Sequence, residues 1–158
     1  FRRVLFRSDI FSYYGLGCRN VSKLYVPEGY SFDTFFESIY DFHDLMNFNK
    51  YMNNFDYNNS ILLLKQIPFL QNGFLIIRED AAIASPISMV HYEFYKERKE
   101  LEAQLVSQKD QLQCIVSSVV PMHDELRKIT VPFGKTQSPD LTDYADGVDT
   151  MAFLTSLS

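Results

Sequence analysis

The sequence holds only two cysteines, Cys18 and Cys114, no tryptophan, and six residues each of glycine and proline among 158. Two cysteines give no framework of paired spacings, so a disulfide-stapled module is not expected and a reducing, cytoplasmic setting is. Basic residues are in the minority, and a formal net charge of -5 offers no broad surface for nucleic acid. Long apolar runs are missing too. The longest, such as Ile61 to Leu64 and Phe74 to Ile77, are of strand length, far below the ~20 residues that span a bilayer. No secretory leader is visible. His43, His91 and His123 are scattered, without metal-ligand spacing to one another or to a cysteine, so no metal site is expected. Asp143, Asp146 and Asp149 recur in threes near Gly147, yet lack the order and closing glutamate of a calcium loop.

What is present is 46% hydrophobic residues, enough for a packed core in a chain of single-domain length. The first eight residues stand apart. Arg2 to Ser8 matches one reading frame of a common sequencing-library adapter, so residues 1–8 are expected to be a scar and natural sequence to begin near Asp9. Removing Arg2, Arg3 and Arg7 takes the formal charge from -5 to -8. The rest is expected to divide into a nucleophile-bearing domain over 9–135 and a tail over 136–158 that serves oligomerisation or domain docking.

Asp9 to Tyr14 reads as the end of a helix stopped by Gly15 and Gly17. A strand is expected over Ser22 to Val26, closed by Pro27 and Glu28-Gly29. Phe35, Ile39, Phe42 and Met46 recur every three or four residues, which predicts a helix over Thr34 to Met46. Thr34 and Glu37 have capping-box spacing, with Phe32 as a staple. Phe48 to Ser60 is expected as a turn and a ragged helix. Ile61 to Leu64 and Phe74 to Ile77 read as strands, paired as a hairpin around Asn72-Gly73. Ile87 to Tyr92 reads as a further strand. Lys96 to Gln108 reads as a charged helix with Glu97, Leu101 and Leu105 on one stripe. Its pairs Lys96–Glu100 and Arg98–Glu102 are each worth ~0.3 kcal/mol. Leu112 to Val116 reads as a buried strand with Cys114 in its middle. The alternation favours an α/β layered domain. The Phe and Tyr series from Tyr30 to Phe55 is read as core rather than as the wall of a tunnel.

Cys18 draws notice through its neighbours. Gly15 and Gly17 let the backbone approach a bound group closely. A thiol on such a turn presents sulfur and a main-chain N–H to one carbonyl, and the N–H steadies the oxyanion. Gly15, Gly17, Arg19 and Asn20 therefore accompany Cys18 as the expected turn and oxyanion residues. Gly15-x-Gly17 is not read as a nucleotide-binding turn, since the third glycine is missing and a strand follows.

Gly15-Leu16-Gly17-Cys18, followed by Ser22-Lys23-Leu24-Tyr25-Val26-Pro27, resembles the catalytic cysteine segment of the aldehyde dehydrogenase superfamily. Leu16 stands where that pattern has Gln, and Lys23 where it has Arg. The fuller stretch Tyr14 to Tyr30 is similar to the acyl-CoA reductase branch, which includes the fatty acid reductase of bacterial bioluminescence. Ser85-Pro86-Ile87-Ser88 resembles the superfamily's Gly-Pro-Val position. Val131 to Pro139, then Asp143 to Met151, resembles the C-terminus of that branch.

The resemblance implies an α/β, aldehyde dehydrogenase-like catalytic domain, three-layered with a mostly parallel sheet and incomplete at its N-terminus. It implies that Cys18 takes the acyl group of acyl-CoA or another acyl thioester, and that NADPH reduces the acyl-enzyme to an aldehyde. The cofactor would be bound mainly by an upstream domain, which would also carry the side-chain oxyanion donor. The chain alone is therefore expected not to reduce acyl-CoA. Homo-oligomers are common in the superfamily. Ala82 stands at the position of the superfamily's ribose-contacting Glu, and Glu79 is out of register. A thiol near pKa 8.5 is only a few per cent ionised at neutral pH, so something must lower that pKa or accept the proton. No basic partner is identifiable in the sequence, and among the histidines His91, which follows the Ser-Pro segment, is the first candidate base. An aldehyde-oxidising dehydrogenase and a non-catalytic binding or assembly module are the rival readings.

Overall fold

The computed structural model describes residues 2–139 and 148–157, with side chains from residue 6 onward. Six α-helices and six strands are present among them: α1 (Arg2–Phe11), β1 (Lys23–Pro27), α2 (Asp33–Ile39), α3 (Asn49–Leu64), β2 (Leu70–Gln71), β3 (Ile76–Glu79), β4 (Met89–Tyr95), α4 (Arg98–Ser107), β5 (Ile115–Val116), α5 (Asp124–Arg127), β6 (Thr130–Val131) and α6 (Thr150–Ser156). The main sheet has the order β1-β4-β3-β2. β4 pairs in parallel with β1 and β3, and β2 adds an antiparallel edge. β5 and β6 form a separate parallel pair. The chain is thus α/β with a mainly parallel sheet.

β3 is the centre of the core. Phe74, Leu75, Ile76 and Ile77 are all buried, as expected for a parallel strand covered on both faces. One cluster joins Ile10 and Phe11 of α1, Phe35 and Ile39 of α2, Tyr51 of α3, and Leu75, Ile77 and Val90. A second joins Phe55 and Leu62 of α3 to Ile76 and Met89.

Several expectations fail for identifiable reasons. Ile61 to Leu64 is not a strand: it is the last turn of α3, whose inward face is Tyr51, Phe55, Asn58 and Leu62. That spacing is helical, and a four-residue apolar run does not by itself distinguish helix from strand. The hairpin partner of β3 is β2, and Asn72 shapes the bend by accepting from the N–H groups of Phe74 and Leu75. The helix expected over Thr34 to Met46 changes pitch. It is α-helical to Ile39 and a 3₁₀ helix over Tyr40–Asn47. Three residues per turn brings Ile39, Phe42 and Leu45 inward, so Leu45 is buried and Met46 half exposed. No capping box forms. α2 starts at Asp33, whose N–H is met by Ser31 Oγ at 3.3 Å. The strand around Cys114 shrinks to Ile115–Val116, because a 3₁₀ turn at Lys109–Gln111 carries the chain past the end of α4. Cys114 thus precedes β5 rather than sitting within it. In α4, Arg98 meets Glu102 at 2.8 Å, whereas Lys96 pairs with Glu28 and not with Glu100. Glu102 and Leu105 form its buried stripe, and Glu97 is only the exposed cap.

Candidate functional site

Cys18 sits on the connection from α1 to β1. After Phe11 the chain makes a 3₁₀ turn over Ser12–Gly15. Tyr13, Tyr14 and Gly15 all take left-handed angles there, with φ of 54°, 58° and 76°. Reversal therefore begins two residues before the first glycine. Each tyrosine in this region costs about 1–2 kcal/mol. The Tyr14 ring lies flat on Phe48, centroids 3.9 Å apart, which offsets part of that cost.

Asn20 closes the turn. Its N–H donates to the Gly17 carbonyl at 3.0 Å. Its side-chain amide donates to the carbonyls of Ile10 at 2.7 Å and Ser12 at 3.0 Å, groups that the end of a helix leaves without internal donors. Its Oδ1 accepts from Gln137 Nε2 at 3.1 Å. Gly17 lies against this network. A Cβ there would fall 2.8 Å from Gln137 Nε2 and nearer still to Asn20 Oδ1. Glycine is required at 17 for space, and at 15 for backbone angle.

The Cys18 residue is exposed. Among the described residues its main-chain N–H has no acceptor. It borders two cavities. The larger, about 880 Å³, runs between β1, α2, α4 and the segment around Cys114, with Leu24, Val26, Phe35, Leu105, Ile115 and Phe133 on its walls. Its size is that of an ordinary small-molecule site. The smaller, about 180 Å³, is bounded by Gly17, Ser22, Tyr51, Ser85, Pro86 and Val90 among others.

A buried clamp supports the turn from behind. Asp9 is 1% exposed. Its carboxylate accepts from Gly134 N–H at 2.7 Å, Thr136 N–H at 3.3 Å and Thr136 Oγ at 3.0 Å. Its own carbonyl accepts from Val21 N–H at 2.8 Å. Residues 134–137 thus grip both ends of the Cys18 turn.

Arg19 follows Cys18, and its carbonyl accepts from Cys114 Sγ at 3.9 Å. Burial pushes the Cys114 thiol up, with the Arg19 charge pulling the other way. His91, the candidate base, is buried in β4 with Nδ1 3.0 Å from the Ala82 carbonyl oxygen. It borders neither of the cavities that Cys18 borders. The structure therefore does not bring His91 to the cavities beside Cys18. His43 is stacked on Tyr40 and His123 is exposed beside α5. Asp143 and Asp146 lie outside the described residues, and Asp149 caps α6 through Ala152 N–H at 2.9 Å.

Burial lowers the His91 pKa below its ordinary 6.5, and the charges of Arg78 and Lys23 act in the same direction. The unfolded chain binds a proton at this residue near pH 6.5 while the folded chain resists it, so stability falls as pH drops through that value. Wild type is expected to lose more unfolding free energy between pH 7 and pH 5 than His91→Gln does. Parallel denaturation curves for the two would refute that assignment.

The residues do not fit a dinucleotide. The Gly15–Gly17 turn leads into a strand rather than a helix. Ala82 offers no carboxylate to a ribose, and its N–H is held by Asp80 at 2.8 Å. No step involving NADPH is assigned to these residues. No group of three or more candidate metal ligands occurs among the described residues, and no helix among them is long and apolar enough to cross a membrane.

Sequence reading missed Tyr51, Asp9, Thr136 and Gln137. The helical period through Tyr51, Phe55, Asn58 and Leu62 would have revealed the first. No local signal marks the others, whose partners are more than a hundred residues away. No family model, curated protein or solved structure matches the chain.

Proposed function

We propose that Cys18 takes an acyl group from a thioester such as acyl-CoA, as the first half-reaction of an acyl-CoA reductase. One observation carries the reading. Three separated stretches meet around the turn that carries Cys18: the turn itself, Ser85-Pro86 on the wall of the small cavity, and residues 134–137 bonded to Asp9 and Asn20. Those same stretches hold the resemblance to the aldehyde dehydrogenase superfamily.

The exposed Cys18 thiol first loses its proton to solvent; the thiolate then attacks the thioester carbon, and a new S–C bond forms as the carbonyl electrons move to oxygen. The N–H of Cys18, without an acceptor among the described residues, is the main-chain donor this reading assigns to that oxygen. The C–S bond to CoA then breaks, and CoA leaves as a thiolate that takes up a proton. The apolar walls of the larger cavity suit a hydrocarbon chain better than a charged one. Reduction to the aldehyde by NADPH is what the resemblance adds, and it falls to residues beyond those that form this site.

Incubation with octanoyl-CoA followed by intact-mass analysis is expected to show one octanoyl adduct, on Cys18, and none on Cys18→Ala. Iodoacetamide is expected to label Cys18 at least tenfold faster than Cys114, whose thiol is half-buried and pushed up. Equal, slow labelling without an adduct would leave a non-catalytic module as the better reading.

A further inference from the structure

The main sheet ends on two unlike edges. β2 is two residues long and exposed, the usual form of a guarded edge. β1 is the other edge and has five residues. The Ser22 carbonyl accepts from His91 N–H at 2.9 Å, and Glu28 N–H donates to the Tyr95 carbonyl at 3.2 Å. Bonding residues alternate along a parallel ladder, so Leu24 and Val26 face β4 as well. The main-chain groups of Lys23 and Tyr25 point away from β4, and no bond outside the sheet meets them among the described residues. β5 is built likewise. The N–H groups of Ile115 and Ser117 donate to the Ile129 and Val131 carbonyls at 2.8 and 3.3 Å, which turns the main-chain groups of Val116 the other way. Both free edges border one cavity, the larger one of about 880 Å³: every residue from Val21 to Pro27 lines it, and every residue from Gln111 to Val119. Successive side chains of a strand point to opposite faces, so a cavity that meets them all lies along the strand's edge. The two edges run the same way. Cys114 Sγ lies 3.9 Å from the Arg19 carbonyl oxygen, and the Val120 carbonyl accepts from Arg98, three residues past Tyr95, the β4 partner of Pro27.

We infer that the larger cavity is a slot for an extended peptide strand, which pairs with β1 on one side and β5 on the other. The two sheets then become one, in the order β6-β5-strand-β1-β4-β3-β2. The strand's alternate N–H and C=O groups meet those of Lys23 and Tyr25 across one edge and those of Val116 across the other. Pro27 has no N–H to offer and ends the pairing, so about five residues lie along β1. Phe35 of α2 and Leu105 of α4, both buried, stand in the walls. The strand they cover is therefore apolar along its length, as strands enclosed in a parallel sheet are. A hydrocarbon chain in the same place would satisfy those walls but cover the main-chain groups of both edges without bonding them, a cost that an added strand avoids. The inference goes beyond the acyl-transfer reading and stands without it. A lodged strand leaves the end of the cavity beside Cys18 and Arg19 to an acyl group.

The test uses the full chain and a synthetic peptide of alternating valine and isoleucine, flanked by lysines for solubility, acetylated and amidated. A second peptide of the same sequence is methylated at alternate main-chain nitrogens, which removes its donors to one edge and leaves its side chains unchanged. Residue-resolved amide exchange is followed with each, and binding is measured by fluorescence anisotropy. At about 1 mM of the first peptide, enough to fill even a weak specific site, the N–H groups of Lys23, Tyr25 and Val116 are expected to exchange at least tenfold more slowly. The methylated peptide should bind at least about tenfold more weakly, since several main-chain bonds are lost together. Unchanged exchange at those three positions overturns the inference. Equal binding of the two peptides overturns it too, because the slot then takes any apolar matter, a hydrocarbon chain included. Slowing that deepens with protein concentration and ignores the peptide gives the edge to a second copy of this chain, and the inference fails in that case as well.

Discussion

Asp9→Ala is expected to destabilise the chain by about 3–5 kcal/mol. The carboxylate is fully buried and accepts three hydrogen bonds, two of them from Thr136, which is itself 0% exposed. Alanine removes the acceptor and leaves those donors in the interior, where each unmet group costs about 1–3 kcal/mol. Thr136 is closed to water. Asp9→Asn is expected to fall between the two. It keeps one accepting oxygen, but turns an amide N–H₂ toward a donor that needs an acceptor. At a few degrees per kcal/mol for a chain of this length, Asp9→Ala should lower the melting midpoint by about 10 °C. Residues 134–137 should also become open to protease. A denaturation midpoint within 2 °C of wild type, with the segment still protected, would show that the clamp contributes little.

That clamp also marks where the sequence stopped being legible. The glycine turn, β1, β3 and β4 were readable because Gly, Pro and Asn-Gly punctuate the chain at their ends. The seed of α2 was readable because Phe35 and Ile39 keep helical spacing. Pitch was not: the change to a 3₁₀ helix is recorded in whether Leu45 or Met46 turns inward, and that is decided by the core around β3. Cys18 was singled out by its neighbours, and it lies exposed where two cavities meet. Its supports could not. Asp9 and Thr136 are 127 positions apart and Asn20 and Gln137 are 117 apart, so neither pair leaves a periodic trace. Tyr51 was hidden by the misreading of Ile61 to Leu64, which cut α3 short and erased its face. Tyr13 and Tyr14 were not foreseen as part of the glycine turn. Glycine was expected to make the reversal, and Gly15 does take a left-handed angle, but Tyr13 and Tyr14 take one before it, with the Tyr14 ring stacked on Phe48.

Gly17→Ala is the sharper probe of the turn, because it adds one methyl group and removes nothing. The new Cβ would press on Asn20 Oδ1 and lie 2.8 Å from Gln137 Nε2. Gln137 is a flexible chain and can withdraw, at the loss of its bond to Asn20. Asn20 cannot withdraw so cheaply, since its amide holds the Ile10 and Ser12 carbonyls. Either the network opens or the backbone moves, and the overpacking costs about 1–3 kcal/mol. The chemical loss is expected to be larger than the loss of stability. Cys18 is the next residue, so any shift at 17 moves both the sulfur and its N–H, and a displacement near 1 Å is worth about 100-fold in rate. Octanoyl-CoA acylation of Gly17→Ala should therefore drop by about 100-fold or more, while circular dichroism shows a folded chain. Unchanged acylation in Gly17→Ala would mean that the turn does not aim the sulfur, and that the glycine serves packing alone.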